Sequence, residues 1–328
     1  MKTFLGVTAL VLVAATFWGA QSAHAQFQTF QTTLAIDITP NYPAPGTSFG
    51  ATLQNLGSDF AQAHITWTVD GKELTQFAND SAITLVAPKT GIHMTIQAVV
   101  SKPGKTSESA SITIVPQGLD LVWEGQTYIP PFYPGRALPA PDSTLRLVAL
   151  PTFIEGGQEI NPGELSYKWT VNDKVQLQQS GVGRNTLDAV MPHFAQPLAV
   201  NVLVTSNSGL QSQLSYLIPA ESQAVRIYED TPLLGTLFNH AINTVFALHG
   251  SEATLRAYPF YFSLPLSDTS FSWSLNGITA ASAGNGPALT LRAESGVGTA
   301  NVSLHATQVK QILQSATAAF TVSFGTSQ

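Results

Sequence analysis

Three short strands centred on tryptophan constrain this chain more than any other feature. They read Ile65-Thr-Trp-Thr-Val-Asp-Gly71, Tyr167-Lys-Trp-Thr-Val-Asn-Asp173 and Phe271-Ser-Trp-Ser-Leu-Asn-Gly277. Each alternates in character and runs into an Asn/Asp/Gly pair, the residues that accept the positive φ of a tight hairpin turn. The copies lie about a hundred residues apart, so they mark a threefold internal repeat. Ahead of them stand Ala51-Thr-Leu-Gln54, Ser143-Thr-Leu-Arg146 and Ala253-Thr-Leu-Arg256. A Thr-Leu pair follows each Trp at an offset of 17 residues: Thr84-Leu85, Thr186-Leu187 and Thr290-Leu291. Next comes a strand with a central amide, at Gln97, Asn201 and Asn301, and then a closing strand. Fixed spacing after Trp and variable spacing before it predict a common strand order with loops of differing length. On that reading Trp67, Trp169 and Trp273 are structural core residues.

The N-terminus carries Lys2, an apolar run from Phe4 to Trp18 and the small-x-small site Ala23-His24-Ala25. Residues 1–25 therefore read as a signal peptide, shorter than the roughly 20 apolar residues of a spanning helix, with an uncleaved anchor as the alternative. Residues 26–33 form a polar lead-in. Three modules follow, over 34–116, 119–219 and 224–324, with joints too short to act as long tethers. Long insertions open the second module, from Trp123 to Gly135, and the third, from Tyr228 to Ala241. Each begins with an aromatic-Glu pair, Trp123-Glu124 or Tyr228-Glu229, which reads as equivalent in the two modules. Alternation and turn spacing predict an all-β chain of three tandem antiparallel β-sandwiches. Val309 to Ala319, the one stretch with helical composition, reads as a hairpin in the third-copy register.

The Trp strand and its turn resemble those of bacterial immunoglobulin-like and PKD-like domains, in which Tyr-x-Trp-x-x-Asp-Gly is common. The matching residues are Ile65, Trp67, Asp70 and Gly71; Tyr167, Trp169, Asn172 and Asp173; Phe271, Trp273, Asn276 and Gly277. The resemblance covers the Trp strand well and the remainder of each module by pattern. It implies spacer, adhesive or accessory units of an exported bacterial protein. The cysteine pair that brackets the Trp in antibody domains is missing, so these tryptophans would pack on aliphatic side chains.

Composition narrows the function classes. Charged residues make up 10% of the chain, against roughly 25% in an average domain, and no Lys/Arg cluster could neutralise a row of phosphates. Nucleic acid is therefore not an expected partner. With no cysteine there is no disulfide framework, thiolate metal site or cysteine nucleophile. No two of the seven histidines are spaced as a zinc pair, no Asp-rich calcium loop occurs, and no nucleophile elbow or phosphate loop appears. Glu229-Asp230 and Asp120 with Glu124 are the nearest acidic pairs, and turn solvation accounts for them. The expected protein is thus not an enzyme and carries no cofactor or metal; a hydrolase site spanning two modules is the remote exception.

Two aromatic segments stand apart, Tyr128 to Tyr133 and Tyr258-Pro-Phe-Tyr-Phe262. Tyr128, Phe132, Tyr133, Tyr258 and Tyr261 are the candidate contacts for a glycan or protein partner, since loop aromatics form platforms and anchors. The competing reading is burial at a module joint. The expected function is a secreted or cell-surface structural or adhesive protein of the bacterial envelope, with another envelope protein or an extracellular glycan as partner. The alternative is a carbohydrate-binding or enzyme-accessory protein that uses these aromatic loops.

Overall fold

The computed structural model describes residues 34–55, 60, 62–104, 106–131, 133–293 and 296–325. The leader at 1–25, the lead-in at 26–33 and Phe132 lie outside the described residues. Apart from short 3-10 turns, every regular element among the described residues is a strand.

The first module contains β1 (Leu34–Thr39), β2 (Ser48–Asn55), β3 (His64–Val69), β4 (Lys72–Glu73), β5 (Ala82–Val86), β6 (Met94–Ser101) and β7 (Glu108–Ile114). They form two sheets, ordered β1-β2-β5 and β4-β3-β6-β7, with every pairing antiparallel. The chain changes sheet between β2 and β3, returns between β4 and β5, and crosses again between β5 and β6, the crossover habit of an immunoglobulin-like sandwich. Period-2 alternation turns Ile36, Ile38, Phe49, Ala51, Ile65, Ile96 and Ala98 inward, with Trp67 fully buried among them.

The second module repeats this order. Strands Gly118–Gly125, Thr144–Thr152 and Thr186–Val190 form one sheet; Lys174–Val175, Ser166–Val171, Leu198–Thr205 and Gln211–Ile218 form the other. The third module repeats it with additions. Gly235–Thr236 joins the sheet of Ala224–Thr231, Glu252–Phe260 and Ala288–Arg292. Val245–Leu248 runs parallel to the last strand, Gln311–Phe324. Each sandwich has its own hydrophobic cluster, so the chain is a tandem array of immunoglobulin-like folds. Val309 and Lys310 form the turn of the Gly298–Gln308/Gln311–Phe324 hairpin, so that stretch is strand and not helix.

The three Trp strands are equivalent in detail. Trp67, Trp169 and Trp273 are 0%, 0% and 1% exposed. Their indole N–H groups donate to the carbonyls of Asp80 (2.8 Å), Arg184 (2.8 Å) and Gly286 (3.2 Å), which satisfies the one polar atom each ring buries. Both turn residues have positive φ in every copy: Asp70 and Gly71 at 50° and 79°, Asn172 and Asp173 at 45° and 62°, Asn276 and Gly277 at 50° and 82°. A two-residue hairpin turn of this hand matches the strand twist, which explains the Asn/Asp/Gly choice. The first turn residue has a second task. Its side-chain oxygen accepts from the backbone N–H of Thr95, Ala199 or Asn301, tying the turn to the next strand of the sheet.

Three expected equivalences fail in register. The Thr-Leu pairs share the offset from Trp but not the position. Leu85 faces Phe49, two residues before Ala51; Leu291 faces Ala253, the first residue of its Ala-Thr-Leu motif; and Leu187 faces Leu147, four residues past Ser143. All the shifts are even numbers of residues, so every side chain keeps its face and the sequence pattern survives. Among the amides, Gln97 and Asn201 stand opposite Thr68 and Thr170, the residues after Trp. Ser303 holds that place in the third module, opposite Ser274, and Asn301 lies two residues earlier. The aromatic-Glu pairs are off by one. Trp123 pairs with Leu147 and is packed against the core, while Tyr228 pairs with Arg256 on the outer face. A one-residue slip reverses the face, so Glu124 and Glu229 are not structural equivalents.

Candidate functional site

The two aromatic segments meet at the joint between the second and third modules. The insertion of the second module leaves its first strand at Gly125, whose position leaves no room for a side chain: a Cβ there would lie 2.6 Å from the backbone at Leu138 and Pro139. From there the chain runs to the third module and pairs with it. Thr127 and Ser263 form an antiparallel bridge. The N–H of Tyr128 donates to the Phe262 carbonyl (2.8 Å), and the N–H of Tyr261 donates to the Tyr128 carbonyl (2.9 Å).

Side chains close the same joint. The hydroxyls of Tyr133 and Tyr261 are 3.1 Å apart, and the Tyr133 ring meets Phe260 edge-on, with centroids 5.4 Å apart. Tyr261 is buried and holds a φ of 63°, an uncommon conformation for a bulky residue. Burial, then the hydrogen bond to Tyr133 and the nearby Glu221, push its phenol up to about 12. Burial also raises the Tyr128 phenol. Beside the aromatics, Gln314 is fully buried between modules. Its amide nitrogen donates to the Pro141 carbonyl and the Ser263 hydroxyl, both at 2.8 Å, and its oxygen accepts from the Ser263 N–H at 2.9 Å. Gln308 donates to the Ser263 carbonyl (2.8 Å), and Gln311 reaches the Asp142 carbonyl (3.1 Å).

The candidates thus separate. Tyr128, Tyr133 and Tyr261 are brought together at the joint. Tyr258 sits further along the outer sheet face, in a triangle with Tyr228 and Phe238 whose centroids are 5.0–5.9 Å apart. Its hydroxyl lies 2.9 Å from the Thr236 hydroxyl, which bonds Asp230, itself paired with Arg256. The three tryptophans lie buried inside the sandwiches. The joint between the first two modules is simpler. Buried Gln117 accepts from the Ile154 N–H at 2.8 Å, and its carbonyl receives the Ser212 hydroxyl at 3.0 Å.

A cleft of about 580 Å³ opens beside the aromatic joint, lined by Tyr133, Glu221, Arg226, Tyr228, Asn243 and Phe260 among others. That volume is within the roughly 300–1,000 Å³ of small-molecule sites. Sequence reasoning singled out Tyr133 but missed Glu221, Arg226 and Asn243, and it missed the buried glutamines. The glutamines did leave a trace: Gln308, Gln311 and Gln314 recur every three residues across a hairpin whose alternation predicts apolar residues at inward sites. Among the described residues, no group of three or more His, Cys, Asp or Glu could hold a metal ion. Among those residues, too, no helix is long and apolar enough to cross a membrane.

No protein-family model and no curated protein matches the chain. Among solved structures, it is similar to the three N-terminal domains of the bacteriophage RB49 highly immunogenic outer capsid protein. That likeness has 15% identity and a TM-score of 0.26, over 90% of this chain and 100% of that one. It is similar to the Bacteroides ovatus mixed-linkage glucan utilization locus protein SGBP-B, in complex with a mixed-linkage heptasaccharide. There the identity is 12% and the TM-score 0.24, over 86% of this chain and 64% of that one. It is also similar to the insect immune protein hemolin, at 9% identity and a TM-score of 0.23, over 87% of this chain and 97% of that one. Likenesses at these scores carry no argument; the fold assignment rests on strand order and register.

Proposed function

We propose that the chain is a non-enzymatic, exported structural or adhesive protein of the bacterial envelope, built as a rod of immunoglobulin-like, PKD-like modules. One observation carries the reading: the segments best suited to binding are spent on holding modules together. Tyr128 joins two modules by backbone hydrogen bonds, and Gln314 is fully buried between them. Groups committed in this way fix the orientation of successive modules, which a load-bearing or presenting rod requires and a flexible string of domains does not. The leader-like N-terminus supports export. Small-angle scattering of the mature chain tests the proposal. An elongated profile that fits a single conformer supports it, and a profile needing an ensemble of module orientations contradicts it. Turnover of any ester or glycoside by the purified chain would contradict the non-enzymatic part.

A second reading, carbohydrate binding, is favoured by the cleft beside Tyr133. It places an aromatic wall and several hydrogen-bonding side chains in one opening at the outer sheet face.

A further inference from the structure

The third module's first strand, Ala224–Thr231, buries Val225 and Ile227 in the core, so alternation turns Ala224, Arg226 and Tyr228 outward. Across the sheet, Ala224 pairs with Phe260 and Arg226 with Tyr258, which places a guanidinium among aromatic rings on one face. Tyr133 reaches this face from the second module and meets Phe260 edge-on. Glu221, Arg226 and Asn243 line the same cleft as Tyr133, Tyr228 and Phe260. Among the described residues, the side chains of Arg226, Glu221 and Asn243 make no hydrogen bond or ion pair with one another or with other groups. The neighbouring polar groups of this face are spent: Tyr258 on Thr236, Arg256 on Asp230, and Tyr133 on Tyr261.

From this arrangement we infer a composite binding site for an uncharged saccharide, present only when the second and third modules are docked. The inference rests on the second, carbohydrate-binding reading and specifies its site and ligand class. A sugar ring has an apolar C–H face and a rim of hydroxyls that donate and accept. Tyr228 and Phe260 offer apolar ring surface, Arg226 donates, Glu221 accepts, and Asn243 does both. One cation and one anion in the same opening leave it without net charge. An acidic sugar would gain Arg226 but face Glu221, so the balance selects a neutral ligand. Because Tyr133 comes from one module and the remaining residues from the joint and the next, binding and docking are linked, and each strengthens the other.

The test uses the full mature chain on an array of neutral and uronic-acid oligosaccharides, followed by calorimetric titration of the strongest binder. A neutral oligosaccharide is expected to bind. Arg226→Ala and Asn243→Ala, both at exposed positions, should each weaken binding at least tenfold while leaving the melting temperature unchanged. Gln314 neither lines the cleft nor hydrogen-bonds to a residue that does, so Gln314→Ala should weaken binding by loosening the joint. Binding confined to uronic-acid sugars overturns the uncharged class. Full binding by Gln314→Ala overturns the composite character. Neutral binding that survives both Arg226→Ala and Phe260→Ala overturns the site and leaves the carbohydrate reading standing. No binding to any glycan overturns the site and that reading together.

Discussion

Replacing Gln314 with alanine isolates the joint from the sandwiches it connects. In the wild type this amide is fully buried and makes three hydrogen bonds, to the Pro141 carbonyl, the Ser263 N–H and the Ser263 hydroxyl. Removing it leaves the buried Ser263 N–H and the half-buried Pro141 carbonyl without these partners. Each such orphan costs roughly 1–3 kcal/mol, and water entering the vacated space recovers part of it. The net loss should be about 2–4 kcal/mol, and it reaches the joint because the bond to the Pro141 carbonyl crosses to the second module and the bonds to Ser263 hold the residue that bridges Thr127. In calorimetry, the second and third modules of the wild type should unfold in one transition. In Gln314→Ala that transition should fall by roughly 4–16 °C or split in two, given about 2–4 °C per kcal/mol for a unit of this size. A variant that melts as the wild type does, in one transition at the same temperature, would refute the claim that the joint is a cooperative contact.

Two other perturbations probe the sandwiches and the phenols. Trp169→Ala should cost roughly 3–5 kcal/mol, because it empties a fully buried site and orphans the Arg184 carbonyl. In denaturant titration its loss should also lower the stability of the third module through the joint, and an unaffected third module would count against coupling. For alkaline pH the sign follows from Tyr261. Its phenol is raised to about 12 in the folded chain against 10.0 unfolded, so the folded state holds the proton longer. The stability it contributes is complete below pH 10 and is lost as pH rises toward 12. Tyr261→Phe should flatten that part of the stability–pH curve, and an unchanged slope would remove Tyr261 as its source.

What could be read from sequence follows the range of the physics behind each feature. The Trp strand and its turn were legible because their causes are local: alternation places the ring inward, and a two-residue turn with positive φ at both positions selects Asp70-Gly71, Asn172-Asp173 and Asn276-Gly277. Register was not legible. The even-numbered shifts among Leu85, Leu187 and Leu291 keep every side chain on its face, so the pattern looks constant where the pairing differs. The one-residue slip of Tyr228 against Trp123 reverses the face, and similar composition hid it. The joint was legible only in part. The aromatic segments drew notice, but their pairing through Thr127 and Ser263 links residues far apart in the chain, and no local pattern encodes it. Arg226 and Asn243 look like ordinary surface residues until the second module brings Tyr133 beside them.

The central claim is that the second and third modules are held in one orientation. The chain has no cysteine, so single cysteines can be introduced for spin labels at Lys174→Cys and Thr279→Cys, exposed positions on the two modules. Pulsed dipolar measurement of the distance between the labels should give one narrow distribution in the wild type background and a broadened one with Gln314→Ala. A broad distribution in the wild type background would contradict the account.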